Sequence, residues 1–362
     1  MSQPHLLIMA AGTGGHIMPG LAVASQMQAR GWTVSWLGTR HGMENQLVPA
    51  AGIAIDSMAF AGLRGKGLLH SIAGAWRLLA ALGYCWKVLR RRQPTVVLGM
   101  GGYVCFPGAL VARLRGRPLM LMNADAALLL SNQSLRPIAQ CIGFGFDGAA
   151  AQSVPRSVVT GNPVRQTIAQ LPAPAQRFAG RSGALRLLIV GGSLGAQALN
   201  TVLPAALKIV QNQQAIRVIH QTGAAQLEAV RAAYQAANID ADVRPFIEDM
   251  ATELGQCDVM IARAGAITVS ELCAAGVASV LVPLVVSTTS HQRGNAQWLA
   301  GQNAAIHLPQ TDCTAEKLAA ILAGLNRTKL LQMAQAARAH GRPNAAAAVA
   351  DQIESLANMS AA

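Results

Sequence analysis

Short apolar runs alternate with glycine turns and helix-length segments along most of the chain. Leu6-Leu7-Ile8-Met9 predicts a strand. It runs into Ala10-Ala11-Gly12-Thr13-Gly14-Gly15-His16, and an Ala/Val-rich helix follows through Pro19 to about Gln28. Thr33–Leu37, Gly52–Met58, Val96–Leu98, Leu119–Met122 and Val158–Thr160 read as further strands. Leu68–Arg92 and a segment from about Pro107 read as helices. Uninterrupted apolar strands separated by helices are the pattern of a parallel sheet covered on both faces. The strand at 96–98 also opens into a glycine turn, Gly99-Met100-Gly101-Gly102-Tyr103.

The pattern then starts again. Residues 166–183 are rich in Pro, Ala, Gln and Gly without clear periodicity, and read as a linker. Leu185–Val190 is a strand, followed by Gly191-Gly192-Ser193-Leu194-Gly195-Ala196-Gln197 and a helix to about Val210. Arg217–Gln221, Asp242–Phe246, Val259–Ile261 and Ala278–Leu284 continue as strands, and Leu227–Ala237 and Thr268–Ala275 as helices. Ser287–Arg293 reads as a polar loop, and Pro343 breaks the last run of helices before a final helix, Ala345–Met359. The expected fold is α/β: two Rossmann-like, doubly wound parallel-sheet domains, each opening with a phosphate-type turn. The expected domains are 1–163, 164–342 and a C-terminal helix, 343–362, that packs back toward the first domain.

Composition narrows the class. The chain has 362 residues, is 52% hydrophobic and holds 35 glycines, which fits an α/β enzyme with ample cores. Its six cysteines form no CxxC pair, so neither a disulfide framework nor a zinc site is expected. No run approaches the ~18–20 apolar residues of a membrane span. The net charge of +13 is uneven. Residues 1–165 carry 15 Lys+Arg against 4 Asp+Glu, a net +11, whereas 166–362 carry 14 against 12, a net +2. A basic half points to solubility alone or to an anionic partner, either nucleic acid or a membrane surface. The basic half lacks an aromatic stacking platform, so no nucleic acid is expected. In Leu68–Arg92, Ile72, Trp76 and Leu79 are apolar and Arg90–Arg92 form a cationic end. With Arg64 and Lys66 just before it, this helix reads either as an ordinary packed helix or as one lying on a bilayer.

The chemistry concentrates at the glycine turns. Val259–Ile261 runs through Ala264-Gly265-Ala266 into a helix, leaving free N–H groups at a helix start, which suit an anion. Glu271, a turn later, can accept both hydroxyls of a ribose. The pair therefore reads as a nucleotide site, or as a buried connection with Glu271 stabilising its own helix. His16 at the first turn can be a general base, a phosphate ligand or a turn stabiliser. Asp240-Ala241-Asp242 has a DxD spacing but sits in a helix–strand connection away from the turns, so no metal site is expected there.

GTGGH with Pro19-Gly20, GLRGKG, GMGGY, GNPVR, GGSLGA, FIEDM and AGAITVSE occur in an order that resembles the MurG family of GT-B glycosyltransferases over nearly the whole chain. The resemblance implies two Rossmann-like domains facing a cleft. It also implies transfer of GlcNAc from UDP-GlcNAc to undecaprenyl-pyrophosphoryl-MurNAc-pentapeptide, with no cofactor, at the cytoplasmic face of the anionic inner membrane. By position, Ile247 would meet the uracil, Glu271 the ribose, and Ser193 with its turn the phosphates. Ala266, Ile267, Thr268, Val269 and Ser270 would serve the pyrophosphate and sugar, and Gln292 and Arg165 the GlcNAc. Thr13, Gly14 and Gly15 would line both substrates, and His16, Gly101, Gly102 and Tyr103 the acceptor. The family usually carries HEQN where this chain has Met122-Asn123-Ala124-Asp125, so Asp125 stands where the family's GlcNAc-contacting asparagine would. A non-hydrolysing UDP-GlcNAc 2-epimerase shares the fold and the donor, and a non-enzymatic basic membrane-binding module is the other alternative.

Overall fold

The computed structural model describes residues 3–12, 14–60, 68–284 and 291–361. They form two compact units, Met1–Arg165 together with Asn344–Ala362, and Gln166–Pro343.

The first unit begins β1 (His5–Ala10), α1 (Gly14–Ala29), β2 (Thr33–Thr39), α2 (Glu44–Ala50) and β3 (Ala54–Met58). It continues α3 (Leu68–Arg92), β4 (Val96–Gly101), α4 (Cys105–Leu114) and β5 (Leu119–Asn123). It closes with α5 (Leu130–Leu135), β6 (Cys141–Phe144), α6 (Ala149–Ser153) and β7 (Ser157–Val159). Seven parallel strands lie in the order β3-β2-β1-β4-β5-β6-β7. The continuous apolar run of β1 has a direct cause. Leu7 and Met9 face one helix layer, and Leu6, Ile8 and Ala10 face the other. A strand with helices on both sides has no polar face to show.

The second unit begins α7 (Gln166–Ala169), α8 (Pro174–Phe178), β8 (Leu185–Val190), α9 (Gln197–Val210) and β9 (Ile216–Gln221). Next come α10 (Leu227–Ala237), β10 (Ala241–Arg244), α11 (Met250–Gln256), β11 (Val259–Ala262) and α12 (Ala266–Ala275). It ends with β12 (Ala278–Leu281), α13 (His291–Gly301), β13 (Ala305–His307), α14 (Ala315–Ala323) and α15 (Arg327–Ala339). Its six parallel strands lie β10-β9-β8-β11-β12-β13. This repeats the order of the first sheet without its seventh strand. Each sheet reverses its winding between its first and fourth strands, at β1/β4 and at β8/β11. Ligands of such sheets sit beyond the carboxyl ends of the strands at that switch.

The last helix, α16 (Ala345–Ala361), belongs to the first unit. Val349, Ala350, Ile353 and Leu356 enter the core beside Ile17, Val23 and Met27 of α1. Arg30 reaches both Asp351 and Glu354 at 2.7 Å. The apolar burial matters more, at about 1.5–3 kcal/mol per buried aliphatic side chain against at most ~1 for an exposed ion pair.

Some expected elements differ. Residues 166–183 are not an unstructured linker, because they hold α7 and α8. Ile168 and Phe178 are buried, and Arg177 donates to the carbonyls of Leu254 and Ala275, so long-range packing stabilises turns too short to signal themselves. Of the polar loop expected at 287–293, residues 287–290 lie outside the described residues, and 291–293 open α13. Helix α12 starts at Ala266 rather than Thr268, and β10 ends at Arg244 rather than Phe246. Strand β6, a short buried apolar run that pairs with β5 and β7, was not expected.

Candidate active site

In the first unit the ends of β1 and β4 interlock. Ala11 N–H donates to the Gly101 carbonyl at 3.3 Å. Gly101 has φ +131°, and a Cβ there would stand 2.5 Å from His16 Nδ1, so the imidazole lies flush against a position only glycine can fill. The structure thus brings together His16, Gly101 and Gly102. Gly14, Gly15 and His16 form the first turn of α1, where backbone N–H groups lack helical acceptors. Thr13 lies outside the described residues. Tyr103, after the second turn, is exposed.

Nδ1 of His16 is buried without a hydrogen-bond partner. Burial pushes the imidazole below its usual value, opposed by the charge of Asp125 and by the Met100 backbone. Burial therefore biases His16 toward its neutral form, the form a proton acceptor needs. Asn123 and Asp125 are separated by their surroundings. Asn123 is fully buried. Its amide donates to the carbonyls of Asp125 and Ala127, and its oxygen accepts from Leu129 N–H and Asn132 Nδ2. All four of its hydrogen-bonding positions are engaged in shaping the loop after β5. Asp125, half-buried, is the member of the pair whose charge reaches His16.

In the second unit a cavity of about 710 Å³ opens at the β8/β11 switch. Gly192 and Gly195 line one side, Gly265 and Thr268 another, with Arg263 and Gln292 beside them. The starts of α9 and α12 face it, and neither helix has a side-chain cap at its N-terminus. Two uncapped helix starts on one cavity make an anion site from backbone amides. Gly195 is required for the fold of the turn. It has φ +78°, and a Cβ there would overlap the Thr222 carbonyl. Ser193 is exposed at the turn's tip. Glu271 is half-buried and follows Thr268 by three residues, which places both on one face of α12.

Other expected residues resolve by burial. Val269 is fully buried with its N–H on the Gly265 carbonyl, and Ser270 Oγ donates to the Ala266 carbonyl, so both are committed to the helix itself. Ala266 and Ile267 are half-buried at the helix start. Ile247 N–H donates to Gln221 Oε1 at 2.8 Å, which leaves its carbonyl as the group available to a base edge. Gln292 Oε1 accepts from Leu284 N–H, so its amide nitrogen is the end free to donate. Arg165 closes the first segment of the first unit and is half-buried. Sequence reasoning missed Arg263, whose guanidinium donates to the Val282 carbonyl and has its pKa lowered by burial. The available signal was a cation one residue beyond an apolar strand, beside a glycine turn.

On α3, Trp76 and Leu79 are 70% and 58% exposed. Arg64 and Lys66 lie outside the described residues, and so does the side chain of Ile72. Part of the cationic end of α3 is engaged, since Arg91 and Arg92 both bind Asp56. Asp242 of the DxD sequence pairs with Arg244, and no group of three metal-ligating side chains occurs among the described residues. Among these residues no helix is long and apolar enough to cross a membrane.

Two family descriptions match, the glycosyltransferase family 28 N-terminal domain over residues 6–144 and its C-terminal domain over 186–353. A protein of Methylibium petroleiphilum is 62% identical, with 98% of each chain covered. It is named UDP-N-acetylglucosamine–N-acetylmuramyl-(pentapeptide) pyrophosphoryl-undecaprenol N-acetylglucosamine transferase. The crystal structure of Acinetobacter baumannii MurG is 39% identical, covers 97% of this chain and 99% of its own, and superposes with a TM-score of 0.84. A UDP-N-acetylglucosamine 2-epimerase structure from Listeria monocytogenes superposes at 0.63 with 15% identity, a likeness of fold alone.

Proposed function

The chain belongs to glycosyltransferase family 28, and from that premise we propose how its two units divide the reaction. It is a UDP-sugar glycosyltransferase that moves GlcNAc from UDP-GlcNAc to lipid I, forming lipid II in peptidoglycan synthesis. The second unit holds the donor. The cavity shared by the Gly192–Gly195 turn and the start of α12 carries this reading, because it offers a diphosphate the amides of two uncapped helix starts. The Ile247 carbonyl meets the uracil, Glu271 takes the ribose hydroxyls, and Gln292 donates to the sugar. Arg263 and the helix amides take the charge that grows on the departing UDP. Each charge-assisted hydrogen bond contributes roughly 1.5–3 kcal/mol, and only the part gained in the transition state speeds the reaction.

The first unit holds the acceptor. Its diphosphate meets the amides of Gly14, Gly15 and His16 and the Gly101–Tyr103 turn. His16 removes the proton from the muramyl 4-hydroxyl as the oxygen attacks the anomeric carbon, so the sugar inverts from α to β in one displacement. The test is label transfer from UDP-GlcNAc to a lipid-diphosphate muramyl acceptor with EDTA present. A labelled disaccharide lipid is expected. Isomerisation of UDP-GlcNAc without acceptor would instead support the epimerase reading.

The exposed pair Trp76 and Leu79, three residues apart on α3, favours a peripheral contact with the anionic cytoplasmic face of the inner membrane. Partition onto anionic vesicles should fall for Trp76→Ala/Leu79→Ala. Equal partition of that variant and wild type would remove this reading.

A further inference from the structure

Glu44 is a carboxylate with no exposed surface, placed against the very turn that the proposed acceptor site uses for an anion. Burying a negative charge beside a diphosphate site is unfavourable unless the carboxylate is fully engaged. It is engaged on both oxygens. Oε1 accepts from Thr39 N–H at 2.9 Å and from Thr39 Oγ1 at 2.7 Å, and Oε2 accepts from Gly12 N–H at 3.2 Å. Gly42 closes over it, since a Cβ there would fall 2.0 Å from Oε2. Asn45 ties the same loop to the carbonyls of Thr39 and Gly42, and Ser57 of β3 holds Asn45. The end of β2, the start of α2 and the first glycine turn are thus one hydrogen-bonded block.

The second unit solves the same problem without charge. Gln221, the last residue of β9, donates from Nε2 to the Gly192 carbonyl at 2.8 Å and accepts from Ile247 N–H. In each unit a side chain from the neighbouring strand, or from just beyond it, pins the glycine turn. In the second unit it pins a carbonyl. In the first it pins an N–H group, and only an acceptor can do that.

We infer that Glu44 is a positioning residue for the acceptor diphosphate, fixing the Gly12 turn by engaging its N–H so that, within this turn, the ligand meets only the amides of Gly14, Gly15 and His16. This inference rests on the acceptor role proposed for the first unit. Its test is Glu44→Gln. Either orientation of the new amide sets an NH₂ against an N–H donor, at Gly12 or at Thr39, so the isosteric change breaks the block. We expect the KM for a short-chain lipid-diphosphate acceptor to rise at least tenfold, with the KM for UDP-GlcNAc within twofold of wild type. Arg30→Ala, which removes the ion pairs from α1 to α16, controls for general loosening of the first unit and should leave the acceptor KM unchanged. An unchanged acceptor KM in Glu44→Gln, beside a raised one in His16→Ala, overturns the inference and spares the acceptor site. A donor KM raised in both variants, with the acceptor KM unmoved, overturns the acceptor site itself. Should Glu44→Gln not fold, amide exchange in the wild-type protein decides. The short-chain acceptor should protect the amides of Gly14, Gly15 and His16 and leave Gly12 unchanged, and new protection at Gly12 would contradict the inference.

Discussion

Each unit sets one histidine near its glycine turn, His220 fully buried and His16 half-buried, and the two are engaged differently. His220, on β9, has both ring nitrogens engaged, by the Tyr234 hydroxyl and by Asn200 Oδ1. His16 has a buried Nδ1 with no partner and a carboxylate, Asp125, acting on it from the loop after β5. Burial lowers the pKa of both. The difference lies in what else the ring can do. His220 is committed to the core through both nitrogens, whereas His16 sits at the glycine turn under the charge of a neighbouring carboxylate. The same contrast runs through the turns, where the first unit is pinned by the anion Glu44 and the second by the neutral Gln221. Under the function proposed above, the two sheets would serve two diphosphates in different ways, the first supplying the titratable group and the second stabilising charge with amides and Arg263.

The largest effect expected from breaking this contrast is in turnover. His16→Ala should lower kcat by about 10²–10⁴-fold, the usual range for losing a general base. Steady-state rates at saturating donor and acceptor check it, and near-wild-type turnover would return His16 to the role of turn stabiliser. The next effect is on stability. The folded-state pKa of His220 is lowered to about 4, against ~6.5 unfolded. Above pH ~6.5 the ring is neutral in both states and its buried contacts count in full. As pH falls from ~6.5 toward 4 the unfolded chain binds a proton that the folded chain refuses. Stability should drop by roughly 1.4 kcal/mol per pH unit, or about 3 kcal/mol by pH 4. Denaturant melts across that range, compared with His220→Gln, should show the slope flatten in the variant.

The smallest effect sharpens the role of Asp125. Its charge raises the pKa of His16 against burial, so Asp125→Asn should lower it further. The acid limb of the kcat/KM profile, set by protonation of the base, should move to lower pH, with a weaker base and a reduced plateau. Asp125→Glu should restore much of the wild-type profile. A limb that stays in place in Asp125→Asn would mean that Asp125 does not act through His16.

How far the sequence could be read follows from where each feature gets its energy. Strands such as Leu185–Val190 are legible because burial on both faces demands an unbroken apolar run. The glycine turns are legible because positions such as Gly101 and Gly195 admit no other residue. Helices α7 and α8 were hidden because distant residues hold them, Arg338 reaching the Ala169 carbonyl of α7 and Arg177 of α8 reaching the carbonyls of Leu254 and Ala275. Asn123 and Asp125 could not be told apart in sequence, since only the folded loop shows that every hydrogen-bonding position of Asn123 is taken. Glu44 gave no signal at all, being one acidic residue at the start of a seven-residue helix.

The division between the units is tested most directly by titrating UDP into wild type, Glu271→Ala and His16→Ala while following transfer by the same preparations. Glu271→Ala should weaken UDP binding by about 100-fold, the ~3 kcal/mol expected of two lost hydrogen bonds to a carboxylate. His16→Ala should bind UDP within twofold of wild type while transferring little sugar. Equal loss of UDP affinity in both variants would contradict it.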